Sequence, residues 1–184
     1  MIMTQLQEAT AAQHRAVEAL MPVLRPDLTR ALYTQLLTQV AWAVAPLEAQ
    51  VQALSFPGAF AAHERQKMPL LRRDLAALGQ AVAAPTPLPG PALDLPGALG
   101  VLYVLEGATL GGQIISRHLQ GTLGLSPQAG GAYFHGYGPA TGAMWRQYRQ
   151  AMTAHVTPEQ APAVIAGAQA AFARFEQALG PVAA

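Results

Sequence analysis

The 184-residue chain contains no cysteine, which excludes disulfides, thiolate metal sites, iron–sulfur clusters and a cysteine nucleophile together. Histidine and methionine are the soft ligands left to it. Charge is also scarce: charged residues make up 11% of the chain, and 11 Lys and Arg against 10 Asp and Glu leave a formal net charge of +1. With no basic run anywhere, the chain has no electrostatic footprint for nucleic acid or an anionic membrane, and neither partner is expected. No stretch reaches the roughly 18 apolar residues of a membrane span. The opening "MIMTQLQEATAAQHRAVEAL" carries Gln and Glu where a secretory signal needs a basic start and an unbroken apolar run, so a cytoplasmic location is expected. Sustained period-two alternation is missing too, as is any repeat of roughly 20–50 residues, which argues against strands and solenoids.

What is abundant is apolar surface. Apolar residues make up 52% of the chain, a balance that implies a large buried area, a partner or an apolar ligand. The length fits one compact domain over residues 1–184. The apolar spacing predicts an all-α fold of about six helices. Thr4 is the expected N-cap of a first helix running to about Leu20, where Pro22 and Pro26 stop it. Asp27 is the expected cap of a second, reaching about Leu54, with Pro46 predicting a kink or break. A third is expected through "AAHERQKMPLLRRDLAALG", ending on Gly79. Prolines 85, 87, 89, 91 and 96 make "QAVAAPTPLPGPALDLPG" an extended connector. A fourth helix is expected from residue 97 to about 121, followed by the glycine- and aromatic-rich loop "LGLSPQAGGAYFHGYG". Two last helices start near Pro139 and at Thr157-Pro158-Glu159-Gln160.

The fourth helix raises a problem, because Gly107, Gly111 and Gly112 lie in its middle, at a combined cost on the order of 2–3 kcal/mol relative to alanine. Residues 103, 107 and 111 share one face, with Gly100 close to the same stripe and Gly112 on its flank, so the stripe is a groove without side chains. Either a neighbouring helix packs there or a flat ligand lies on the backbone. In the first helix, "HRAVE" sets His14 and Glu18 four residues apart on one face. This is either a surface pair or a metal ligand whose second nitrogen is held by a carboxylate. Taken together, a lone axial histidine facing a glycine-lined helix is the arrangement haem needs when one side must stay open to a diatomic molecule.

These residues carry a resemblance. "ATAAQHRAVE", followed about 80 residues later by "LYVLEGATLGGQIISRHL", is similar to the haem oxygenase family, in particular its bacterial, bacteriophytochrome-associated branch. "ERQKMPLLRRDLAALG", "GYG", "MWRQYR" and "AFARFEQAL" follow in the order the family shows. The resemblance implies a haem-oxygenase-like helical bundle with haem held between the first helix and a glycine-rich distal helix. It implies haem as both substrate and cofactor, cleaved with O₂ and external electrons to biliverdin, CO and iron. His14 would ligate the iron, Glu18 would hold His14, and Gly107, Gly111 and Gly112 would shape the distal side. Arg149, with Arg146 nearby, would meet the propionates, and Tyr103 would contact a propionate or the haem edge. One position departs from the pattern: many members carry an aspartate after the first distal glycine, where it holds proton-delivering water, and this chain has Ala108. Without a flavin or nicotinamide fingerprint, electrons are expected from a ferredoxin or reductase. Arg65, Lys67, Arg72 and Arg73 form either its docking face or simply a solvated helix. A bacteriophytochrome is the expected recipient of biliverdin, and a haem carrier or gas sensor that does not turn haem over is the alternative reading.

Overall fold

Leu6, Leu37, Leu71, Leu102 and Leu119, which helical spacing assigns to inner faces, are all buried in the computed structural model, which describes residues 1–82 and 92–180. The described residues form eight α-helices and no strand: α1 (Ile2–Ala19), α2 (Arg30–Gln52), α3 (Met68–Ala77), α4 (Leu95–Gly107), α5 (Gly112–Leu123), the single turn α6 (Ala132–His135), α7 (Thr141–His155) and α8 (Ala161–Leu179). The expected all-α architecture is therefore the one observed. Half of the proline-rich connector, residues 83–91, lies outside the described residues.

Several boundaries differ from expectation for identifiable reasons. Helix α1 begins at Ile2, so Thr4 lies inside it rather than capping it. Thr29 caps α2, its Oγ1 accepting from the Leu32 N–H at 3.2 Å, because Asp27 is engaged with Arg25 at 2.5 Å. Pro46 does not break α2. A proline within a helix leaves the carbonyl four residues earlier without its donor, and here Arg174 on α8 donates to the Trp42 carbonyl at 2.8 Å. The third predicted helix is shorter than expected: Ala61 adopts a left-handed conformation, residues 58–65 wind as two short 3₁₀ turns, and Pro69 sits in the first turn of α3. Gly79 ends α3 as expected, with φ at +78°.

The expected fourth helix is two helices. Through Thr109, Leu110 and Gly112 the backbone bonds shift to i→i−3, and α4 meets α5 at a bend of 40°. The Thr109 hydroxyl donates to the Glu106 carbonyl at 2.7 Å, a local bond that competes with the helical ladder.

Helix α4 is apolar on all sides and packs along α8. Glycines set that crossing: a Cβ on Gly100 would stand 1.9 Å from the Val164 carbonyl oxygen, and one on Gly167 would stand 2.0 Å from that of Gly97. The two backbones touch, so the helix-packing reading holds for this end of the stripe. Among the described residues no single helix is long and apolar enough to cross a membrane.

Candidate haem site

At the bend the glycines divide. Gly112 packs on α6, where an added Cβ would fall 2.0 Å from the Phe134 carbonyl oxygen. Gly107 and Gly111 have nothing within 4 Å of where a Cβ would project, and both line a cavity of about 610 Å³. Ligand cavities commonly span roughly 300–1,000 Å³. Helix α1 contributes His14, Val17 and Glu18 to the same cavity, and α8 contributes Phe172 and Phe175.

His14 is more than half exposed, its Nδ1 stands 3.4 Å from Glu18 Oε2, and its ring meets Phe172 edge-on at 5.9 Å between centroids. The i, i+4 spacing of α1 places carboxylate and imidazole together, and a proton directed from Nδ1 to Glu18 leaves the Nε2 lone pair for a ligand. Leu24, Leu110 and Ile114, each roughly half exposed, also line the cavity. Exposed apolar side chains gathered on one opening mark a site that covers apolar surface. A second recess, of about 430 Å³, shares His14, Tyr103, Leu110 and Trp145 with the first and is lined also by Arg149 and Arg15. The arrangement thus combines an apolar slot, one imidazole backed by a carboxylate, a wall without side chains and guanidinium groups in an adjoining recess. That donor set fits a flat macrocycle carrying one metal and an anionic edge.

The heme oxygenase family model matches residues 90–180. The heme oxygenase of Xanthomonas campestris pv. campestris is 38% identical to the chain over 119 residues, which span 62% of the chain and 68% of that relative. The chain belongs to the haem oxygenase family. Solved structures agree on the fold. The heme oxygenase of Neisseria meningitidis superposes with a TM-score of 0.84 at 22% identity, over 97% of this chain and 90% of that one. Heme oxygenase from Leptospira interrogans gives 0.76 at 16% identity over 98% and 99%, and the heme-bound enzyme of Synechocystis gives 0.73 at 19% over 97% and 90%. The chain is accordingly an oxidoreductase that takes haem as substrate and cofactor.

Other residues of this haem oxygenase fall elsewhere than the sequence suggests. Arg146 is exposed and lies beside Gly142, outside both recesses. Arg65 and Lys67 are not a solvated face: both are buried, with Arg65 Nη1 paired to Glu106 Oε2 and Lys67 Nζ 2.5 Å from Glu106 Oε1. A left-handed turn at Ala61 precedes this segment. Lys67, the chain's single lysine, also donates to the Tyr137 hydroxyl at 2.6 Å, and Tyr137 in turn donates to Glu106 at 2.7 Å. Burial pulls the Lys67 pKa down, and the Glu106 charge opposes it. The cluster therefore clamps the residue immediately before Gly107, fixing the start of the bend. Of the four basic residues, Arg72 and Arg73 are the exposed ones.

Sequence reasoning missed the loop after α1, where Met21, Pro22 and Val23 line the cavity, and it missed Tyr133. Their signal was weak: prolines read as stop signals and a tyrosine among glycines reads as loop packing.

Proposed function

We propose that this haem oxygenase seats its substrate in the 610 Å³ cavity between α1 and the α4–α5 bend, with His14 as the iron ligand. The observation that carries the reading is one cavity with a carboxylate-backed imidazole on one wall and two glycines, open where Cβ atoms would be, on another. Bound there, haem supplies the O₂ activation and is itself the carbon framework opened to biliverdin, CO and iron. Glu18 fixes the tautomer and rotation of His14. Gly107 and Gly111 keep the distal wall flat, so reach along that wall is limited by backbone rather than by side chains. Gly112 positions them by seating the bend on α6. The apolar lining shields the macrocycle from bulk solvent. Arg149 meets a propionate in the adjoining recess, with Tyr103 on the boundary between the two spaces.

The whole chain acts as one haem oxygenase domain, since helices from both ends build the cavity. Electrons come from a separate ferredoxin or reductase, for which exposed Arg72 and Arg73 are the candidate docking charges. Resemblance to the bacteriophytochrome-associated branch supports a bacteriophytochrome as the recipient of biliverdin. The absence of a helix able to cross a membrane among the described residues is consistent with work in the cytoplasm.

The test is an equimolar haemin titration followed in air after adding ascorbate and catalase. A Soret band that forms and gives way to a broad red bilin band supports the reading. A Soret band that persists with every donor supports a carrier or sensor, and no Soret shift refutes haem binding. His14→Ala is expected to weaken haemin binding, with added imidazole restoring the spectrum.

A further inference from the structure

Water that delivers protons to the distal side needs a polar anchor, and at residue 108, where many family members have an aspartate, this chain has a methyl group lining the cavity. The cavity's hydrogen-bonding side chains are His14, Glu18, Arg25, Tyr103 and Tyr133, with Trp145 offering one N–H. His14 and Glu18 form the pair on α1. Arg25 is held by Asp27 at 2.5 Å. Tyr103 borders the Arg149 recess, beside Thr10 and with its ring tilted against that of Trp145 at 5.9 Å between centroids. Tyr133 remains.

Three of the five tyrosines give their hydroxyls to protein acceptors: Tyr33 to the Gly130 carbonyl at 2.8 Å, Tyr148 to that of Leu99 at 2.8 Å and Tyr137 to Glu106 at 2.7 Å. Tyr133 lines the cavity and its hydroxyl has no such bond among the described residues, whereas the backbone at Ala132 and Tyr133 is pinned. Buried Asp74 on α3 accepts the Tyr133 N–H at 2.7 Å and the Ala132 N–H at 2.8 Å. The Phe134 carbonyl lies against Gly112 at the start of α5. A cavity-lining tyrosine whose backbone is fixed beside the distal bend, and whose hydroxyl has no protein partner among the described residues, calls for water or ligand.

Resting on the haem oxygenase reading above, we propose that the Tyr133 hydroxyl orders the distal water in this chain, in place of the carboxylate that Ala108 lacks. Tyr133 is a positioning residue, acting through the water it holds. As a hydroxyl it accepts one hydrogen bond and donates another, so it aligns water without ionising. The groups around it favour the protonated phenol: burial and the Glu48 carboxylate on α2 push its pKa up. Tyr33 is committed to Gly130 and Asp74 to backbone N–H groups, so neither takes the Tyr133 hydroxyl.

The test compares Tyr133→Phe, Ala108→Asp and the double variant as haemin complexes. Three quantities are read: haemin affinity, the pH at which the ferric spectrum changes from acid to alkaline form, and the rate of biliverdin appearance. Tyr133→Phe is expected to bind haemin within about twofold of the parent, since the ring is retained. Its spectral transition should shift, and biliverdin formation should fall about tenfold, the worth of one hydrogen bond. Adding Ala108→Asp should restore both. An unchanged transition and rate in Tyr133→Phe overturns the proposal, as does weakened haemin binding, which would make Tyr133 structural. Failure of Ala108→Asp to rescue also counts against it. If the parent binds haemin but never forms biliverdin, the functional reading fails, whereas the Tyr133 shift in the spectral transition is still decided.

Discussion

Four glycines of the α4–α5 segment should respond to alanine in two opposite ways. At Gly100 and Gly112 the new methyl carbon would stand 1.9 Å and 2.0 Å from backbone oxygens of Val164 and Phe134. A backbone oxygen cannot rotate away as a side chain can, so a helix or the α6 turn must move. Overpacking of this kind costs roughly 1–3 kcal/mol. Alanine is the better helix former by up to about 1 kcal/mol, which offsets part of the cost at Gly100 inside α4. For a chain of this size each 1 kcal/mol corresponds to roughly 2–4 °C in Tm, so Gly112→Ala should melt several degrees lower. At Gly107 and Gly111 nothing lies within 4 Å of the added carbon, and the apoprotein should hold or gain up to about 1 kcal/mol. The same methyl enters the cavity, so haemin affinity should fall for Gly107→Ala and Gly111→Ala. Thermal unfolding of the apoproteins by circular dichroism, with a haemin titration of each variant, measures both. Equal melting of Gly112→Ala and parent, or a destabilised Gly107→Ala that binds haemin normally, would refute the division.

Two further predictions concern buried carboxylates. Glu106→Gln leaves Arg65 and Lys67 buried without their counter-charge, and it should cost about 3–5 kcal/mol in urea unfolding; a loss under about 1 kcal/mol would show that solvent reaches the cluster. Burial raises the Glu48 pKa above its ordinary 4.5, with the Lys67 and Met68 N–H groups opposing. The folded state therefore keeps this proton longer than the unfolded chain. Relative to Glu48→Gln, the parent should be at its best below pH 4.5 and lose ground as pH rises through the folded pKa. Unfolding midpoints of both proteins at several pH values check the sign, and a parent that instead gains ground on raising pH would contradict it.

Much of this was legible in one sequence because helical periodicity and the i, i+4 rule are local. They gave the all-α class, the His14–Glu18 pair and the exceptional status of Gly107 and Gly111. The bend was not legible, since the four-residue spacing of Tyr103, Gly107 and Gly111 runs straight through it. What interrupts the ladder is the Thr109 hydroxyl and the contact of Gly112 with α6, and the second is tertiary. Arg65 and Lys67 read as solvated because charge usually is; their partner Glu106 lies 41 and 39 residues away. Gly100 and Gly112 looked like Gly107 and Gly111, and only the neighbouring backbones distinguish packing glycines from those that face the cavity.

Pro46 has an effect beyond its own helix. By removing one N–H it leaves a single acceptor open partway along α2, at Trp42, and Arg174 of α8 takes it. A continuous helix presents no landmark along its length, so two smooth helices can pack in several alignments one turn apart. The missing bond supplies a landmark. Sliding α8 by a turn would forfeit the Arg174 contact and carry Phe172 and Phe175 out of alignment with the cavity they line. The proline thus indexes the last helix against the second, and the spacing of the haem slot is set in part by an atom that is not there.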